Sequence, residues 1–117
     1  PDVIGFSGHG WDLPDPNRPS HQPMTEVKRR LPYTPIPYRC MVPQPIANLI
    51  CPGRAISVER AVLGPLREQA PCMAMGEAAG VAAALAIAES KAFKDVDMTT
   101  LRRRLQAQGA ILSMEEI

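Results

Sequence analysis

The sequence predicts a mixed α/β chain, with an extended proline-rich first half and a helical second half. Eleven of the 13 prolines lie in residues 1–52, where the fixed φ and the missing N–H disfavour helices. Apolar residues alternate between Ile36 and Val42, which predicts a strand. Residues 71–91 are rich in alanine and glycine and carry no charge before Ala88 except Glu77, which predicts a long buried helix.

Composition excludes several classes of protein. The 13 basic and 12 acidic residues give a net charge of +1, so we expect no nucleic-acid partner and no binding to membrane surfaces. The three cysteines have no C-x-x-C spacing, and we expect neither a metal site nor a disulfide scaffold. Isolated thiols weakly favour a reducing, cytoplasmic location, although a signal peptide upstream of Pro1 stays an alternative.

The first half is expected to contain little regular structure. Residues 8–25 resemble a long surface loop, and a loop of this length suggests that the segment lies against neighbours outside the sequence. Residues 36–43 are expected to form a strand, and residues 46–51 a second, buried strand that ends at the Pro52-Gly53 turn. The domain division that follows is 1–35 for the extended segment and 36–117 for the remainder.

Three helical segments are considered in the second half. After Gly53, Ser57 is a candidate N-cap for a short helical turn that Gly64-Pro65 would end. The long helix is expected over 71–91, with Pro71 at its first position. A last helix is expected over about 98–108.

The last helix has recognisable signals at both ends. Asp97 is its expected N-cap and Gly109 its C-terminal glycine. Leu101, Leu105 and either Ile111 or Leu112 should face the core, whereas Arg102–Arg104 are expected to be mainly solvated, with a basic recognition patch as the alternative.

Small residues form a stripe on the long helix. The stripe contains Gly76, Ala79, Gly80, Ala83 and Ala84. Three interpretations compete: a transmembrane dimer face, which Glu77 disfavours; tight packing on a sheet; and a nucleotide cofactor at the helix N-terminus. A helix that is apolar on all sides must be buried on all sides, and we expect 117 residues to be too few to bury it. The chain also begins at Pro1 rather than Met, so it is expected to be incomplete.

Three motifs, taken together and in this order, carry a resemblance. They are I-P-Y-R-C-M-V-P (36–43), N-L-I-C-P-G-R-A-I-S (48–57) and G-P-L-R-E-Q-A-P-C-M-A-M-G-E-A-A-G-V-A-A-A-L-A (64–86). In this order they resemble the C-terminal end of the FAD-dependent oxidoreductase family, flavoproteins with a Rossmann-type FAD-binding domain that are related to fumarate reductase and thiazole-biosynthesis flavoproteins. The resemblance implies that residues 36–117 are the C-terminal part of such a domain.

The resemblance also implies a cofactor site. The cofactor would be FAD, and the residues implied to contact it are Gly53, Arg54, Arg67, Pro71, Cys72, Gly76, Glu77, Ala79 and Gly80. Many relatives have an acidic residue where Arg54 stands, so Arg54 is considered as a pyrophosphate ligand instead. Glu77 is considered as a residue that orders Arg54 or Arg67.

The G-x-G-x-x-G sequence that cradles the ADP half of FAD is absent from these residues. The implied partners are therefore the upstream remainder of the FAD-binding domain and a small-molecule substrate, and the chain alone is not expected to retain FAD. No catalytic acid or base is identified. His9 and His21 are expected to be surface histidines, and the alternative is that one of them faces the substrate in the full protein. The alternative function is a non-enzymatic α+β module that dimerises or binds a partner through its alanine and glycine helix.

Overall fold

The computed structural model describes residues 2–10 and 33–116. The expected loop at 8–25 lies outside the described residues from position 11 onwards, as does His21. In chain order the regular elements are strands β1 (Val3–Ser7) and β2 (Thr34–Pro37) and helices α1 (Arg60–Leu66), α2 (Gln69–Glu89) and α3 (Met98–Ala107). Short 3-10 turns lie at Tyr38–Met41, Gly53–Ala55, Phe93–Asp95 and Met114–Glu116. A mixed α/β fold is thus confirmed for the described residues.

The sheet of the described residues has two antiparallel strands, and β1 was not predicted from the sequence. Ser7 pairs with Thr34 and Val3 with Pro37, with an irregularity between Val3 and Phe6. Pro35 and Pro37 cannot donate to the ladder, and the next residue, Tyr38, donates its N–H to the Asp2 carbonyl at 2.8 Å. The pairing is therefore short.

Both strands predicted from the sequence need correction. The strand expected over 36–43 ends at Pro37, and the chain then turns through Tyr38–Met41, burying Tyr38, Cys40 and Met41 together. Residues 46–51 form no strand: Ile46 and Leu49 are 48% and 41% exposed. Flanking prolines explain both errors, because they remove ladder donors at the positions where pairing would continue.

Helix α1 also differs from its prediction. Ser57 does not cap it; Glu59 occupies the N-cap position, and Gly64-Pro65 lies inside the helix rather than after it. Because Pro65 is followed by only one helical residue, the missing N–H removes one bond near the helix end. Gly64, Pro65 and Leu66 are buried, so packing compensates for the loss.

Helix α2 is shifted by two residues from the predicted 71–91. It starts at Gln69, so Pro71 is its third residue, where an N–H would still lack an intrahelical acceptor. It ends at Glu89, and the next residue, Ser90, stops the helix with a left-handed φ of 51°. Its buried side contributes Met75, Ala78, Ala82, Leu85 and Ala86 to the core.

Helix α3 confirms its predicted ends. The Asp97 carboxylate accepts the Thr100 N–H at 2.8 Å. Hydrogen bonds from the Thr100 side chain and then from its N–H hold the pKa of that carboxyl below its ordinary value. Gly109 follows the helix with φ at 95°. Leu101, Leu105 and Leu112 are buried, whereas Ile111 is exposed.

Arg102 differs from the expectation that all three arginines of α3 are mainly solvated. Its guanidinium donates to the carbonyl oxygens of Val3 at 2.7 Å and Leu112 at 3.2 Å. Arg103 and Arg104 are exposed, as expected. Arg102 thereby fastens α3 to the first strand.

The core lies between the sheet, the buried side of α2 and α3. Its fully buried large side chains include Ile4, Ile36, Met41, Leu66, Met75, Leu101 and Leu105. Tyr38 closes one side, where its hydroxyl donates to the Phe93 carbonyl at 2.9 Å and burial raises its pKa to about 12. This core positions the start of α2 beside the Gly53 turn.

Candidate functional site

The Gly53 turn lies against the first residues of α2. Gly53 has a φ of 74°, a left-handed conformation that glycine adopts without steric cost. A Cβ at this position would lie 3.8 Å from the Cys72 sulfur. The structure thus brings Gly53 and Cys72, two of the residues singled out from the sequence, into contact distance.

The Arg67 carbonyl connects the turn to the helix. The Arg54 Nε donates to this oxygen at 3.0 Å, and the Cys72 thiol donates to it at 3.6 Å. The Arg67 side chain lies beside Glu68, with Nη2 and Oε1 3.9 Å apart. Arg54, Arg67 and Cys72 therefore form one cluster with Gly53, built largely on a single backbone oxygen.

The N-terminus of α2 belongs to the same cluster. Glu68 is at the N-cap position, but its side chain makes no capping hydrogen bond. The Cys72 N–H bonds the Glu68 carbonyl at 3.1 Å, and Pro71 has no N–H. Gln69 and Ala70 are exposed, and the N–H groups of the first helical turn have no acceptor within the helix, at the positive end of its dipole. An anionic or carbonyl oxygen is the natural acceptor at such an end.

One side of α2 is exposed and apolar. Met73 is 75% exposed and Ile87 81%, and in the part of the chain that the structure describes no atom lies within 4 Å of a Cβ placed on Gly76 or Gly80. The predicted burial on all sides is therefore not provided by the described residues. We call the side formed by Met73, Gly76, Gly80, Ala84 and Ile87 the open face.

Two other predicted site residues belong to the interior. Pro71 is buried, and Ala79 is only 6% exposed. The sequence spacing had grouped Ala79 with Gly76 and Gly80, but Ala79 lies on the buried side of α2 whereas both glycines are exposed. The side chains of Pro71 and Ala79 pack in the interior next to the site and have little exposed surface that a ligand could contact.

By length and composition alone, α2 could cross a membrane, and 39% of its most apolar 18-residue window is buried inside the protein. Core helices pass the same test. The packing of Met75, Ala78 and Ala82 into the core is typical of a helix with one side against its own domain.

Glu77 lies away from the Gly53 cluster. It follows Cys72 by five residues, which places the two side chains about 140° apart around a helix of 3.6 residues per turn. Glu77 lines a groove beside β1 together with Ala74, Phe6 and Tyr33. The Arg54 Nε bonds the Arg67 carbonyl and the Arg67 side chain lies beside Glu68, and the expectation that Glu77 orders either arginine stays a prediction.

Ser7 is a buried polar residue that sequence reasoning missed. Its buried hydroxyl donates to the Pro65 carbonyl at 2.6 Å and accepts the His9 N–H at 3.3 Å. The exposed His9 ring bonds the Gly10 carbonyl through Nδ1 at 2.9 Å. The apolar run at Val3–Phe6 was the available signal for a strand here, although nothing local indicated its partner.

The remaining cysteines and acidic residues form no metal centre. Within 2–10 and 33–116, no group of three or more His, Cys, Asp or Glu residues could hold a metal ion. Cys40, Cys51 and Cys72 are free thiols. Burial raises the pKa of Cys40, whose sulfur donates to the Pro37 carbonyl at 2.8 Å.

A family model described as FAD dependent oxidoreductase matches residues 1–105. No curated protein and no solved structure matches the chain.

Proposed function

The chain belongs to the FAD-dependent oxidoreductase family, and on this basis we propose that it forms part of the flavin-side wall of an enzyme that transfers electrons or hydride between FAD and an organic substrate. The observation that carries the proposal is the cluster of the Gly53 turn, the Arg67 carbonyl and the uncapped start of α2. The resemblance of the sequence motifs implies flavin contacts at this same place.

The cluster fits one part of FAD. The N–H groups of Gln69 and Ala70, which have no acceptor within the helix, suit a carbonyl or anionic oxygen, such as those at the pyrimidine edge of the flavin. The left-handed Gly53 leaves backbone without a side chain beside Cys72. The ADP half has no comparable cradle in these residues, because the glycine-rich phosphate loop is absent. We propose that residues outside this sequence bind that half.

Each residue of the cluster has a definite task in this proposal. When bound, FAD supplies the site that accepts or donates the electron pair. The N-terminus of α2 would stabilise negative charge through its dipole and the N–H groups of its first turn. Arg54 would place its terminal nitrogens near a ribityl or phosphate oxygen while its Nε stays on the Arg67 carbonyl. The open face, with Gly76 and Gly80, would receive the backbone of the remaining FAD-binding domain.

A pair of glycine variants tests the proposal in the full-length protein. Gly53→Ala and Gly109→Ala both force a side chain into a left-handed conformation, which costs roughly 1–2 kcal/mol each. Gly53 belongs to the cluster, whereas Gly109 follows α3. We expect Gly53→Ala to lower the flavin content measured by absorbance, and Gly109→Ala to retain it at a similar loss of melting temperature. Equal flavin content in both variants would contradict the proposed site.

The open face supports a second function, a non-enzymatic module that dimerises or binds a partner through α2. Met73 and Ile87 are exposed enough to bury substantial area in such a contact. The absorption spectrum of the purified full-length protein separates the two functions. A flavin spectrum supports the oxidoreductase, whereas a colourless, stable dimer supports the module.

A further inference from the structure

We propose that the groove between β1 and α2 binds an organic cation, specifically an amine that carries an apolar or aromatic group. The groove has a volume of about 370 Å³. The lining residues that carry the argument are Gly5, Phe6, Gly8, Tyr33, Ala74 and Glu77. This site is separate from the Gly53 cluster.

Small residues keep the groove open. A Cβ on Gly5 would lie 3.5 Å from the Ala74 Cβ, so strand and helix approach closely at its floor. At its end, a Cβ on Gly8 would lie 3.4 Å from the Tyr33 ring. Larger residues at these positions would fill the space or displace the ring. The volume is within the range typical of small-molecule sites.

Charge decides which ligand fits. Among the lining residues that the structure describes, Glu77 is the one that carries a charge, and it is exposed. Within the described residues, its carboxylate has no ion pair. A ligand ammonium would complement this charge, whereas a carboxylate or phosphate would be repelled.

The aromatic residues favour the same ligand. Phe6 and Tyr33 are half-buried and line the groove with Glu77. Aromatic faces attract ammonium groups and also pack against apolar substituents. A carboxylate with two aromatic rings thus matches both ends of an amine that carries an apolar group.

The test compares three probes of similar shape on the full-length protein. Benzylamine is cationic at neutral pH, benzyl alcohol is neutral and benzoate is anionic. We expect titration calorimetry to show the order benzylamine, benzyl alcohol, benzoate, with about tenfold between the first two, a difference of about 1.4 kcal/mol. Benzylamine binding no tighter than benzyl alcohol would overturn the proposal.

Matched variants locate the binding. Glu77→Gln removes the charge at nearly constant shape and should weaken benzylamine about tenfold while leaving benzyl alcohol within about twofold. Glu89→Gln, at the far end of the same helix, is the control and should leave both unchanged. Ala74→Phe fills the groove and should abolish binding of both. Benzylamine affinity that survives Glu77→Gln would overturn the proposal.

Flavin absorbance of the same samples separates this proposal from the proposed function. Full flavin content without benzylamine binding overturns the cation site alone. A protein that binds benzylamine but never holds flavin contradicts the proposed oxidoreductase site alone.

Discussion

Arg67 is a residue whose backbone and side chain have different tasks. Its carbonyl oxygen accepts hydrogen bonds from Arg54 and Cys72 and so holds the turn against the helix. Its guanidinium lies at the same end of α2, beside Glu68. Replacement of the side chain leaves the carbonyl in place, so the structural and the functional contributions of this residue can be measured separately.

We therefore expect Arg67→Ala in the full-length protein to weaken cofactor or substrate retention more than it lowers the melting temperature. The reason is that the hydrogen bonds to the Arg67 carbonyl survive the substitution. Flavin content after gel filtration and thermal unfolding are the two measurements. Arg60→Ala, at an exposed position in α1, is the control. Normal flavin retention with a large stability loss would make Arg67 a structural residue.

At the scale of elements, helices were predictable and strands were not. The signals for α3 are local: Asp97 at one end, Gly109 at the other and leucines at helical spacing between them. The partner of β1 lies about thirty residues further along the chain. Two of its paired positions are Pro35 and Pro37, which lack the N–H that a strand normally donates. Because strand formation depends on such distant pairing, alternation at 36–43 and apolar character at 46–51 were insufficient evidence.

The position of helix α2 was predicted from the sequence, but the surroundings of its different sides were not. Its composition indicated a helix apolar on all sides, and the structure divides it into a core side and the open face. The closeness of Gly53 to Cys72 was implied only by the family resemblance, because residues 19 apart have no local pattern that predicts contact. No sequence pattern predicts that Glu77 lines the groove between β1 and α2, because this depends on where β1 packs.

The open face leads to a prediction for Gly80→Leu. Nothing in the described residues lies within 4 Å of a Cβ at Gly80, so the new side chain does not overpack this chain itself. If the remaining FAD-binding domain approaches here, the full-length variant should lose about 1–3 kcal/mol by overpacking, together with flavin content. Denaturant unfolding and flavin absorbance measure these effects.

The control for Gly80→Leu is Ala88→Leu, an exposed position near the end of α2. It adds similar apolar bulk outside the glycine pair and should keep both stability and flavin content. Unchanged stability and full flavin occupancy in Gly80→Leu would show that no backbone or cofactor approaches the open face.

At the scale of the whole molecule, the 117-residue chain should not hold FAD by itself. One helix end contributes about 0.3–1 kcal/mol towards an anion when exposed, whereas even millimolar binding needs about 4 kcal/mol. The exposed Met73 and Ile87 should instead promote self-association. Titration of FAD into the purified chain, followed by flavin fluorescence and light scattering, measures both properties. Saturable micromolar binding by a monomer would refute this expectation.

The bond from Arg102 to Val3 has a consequence for biosynthesis. Strand β1 leaves the ribosome before both of its partners: it is held by β2 and, through the Val3 carbonyl, by an arginine almost a hundred residues later. Translation proceeds from the N-terminus at about 5–20 residues per second, so several seconds pass between the synthesis of β1 and the synthesis of Arg102. During that interval its apolar side chains are accessible to chaperones, and this unit completes its folding only after α3 has emerged.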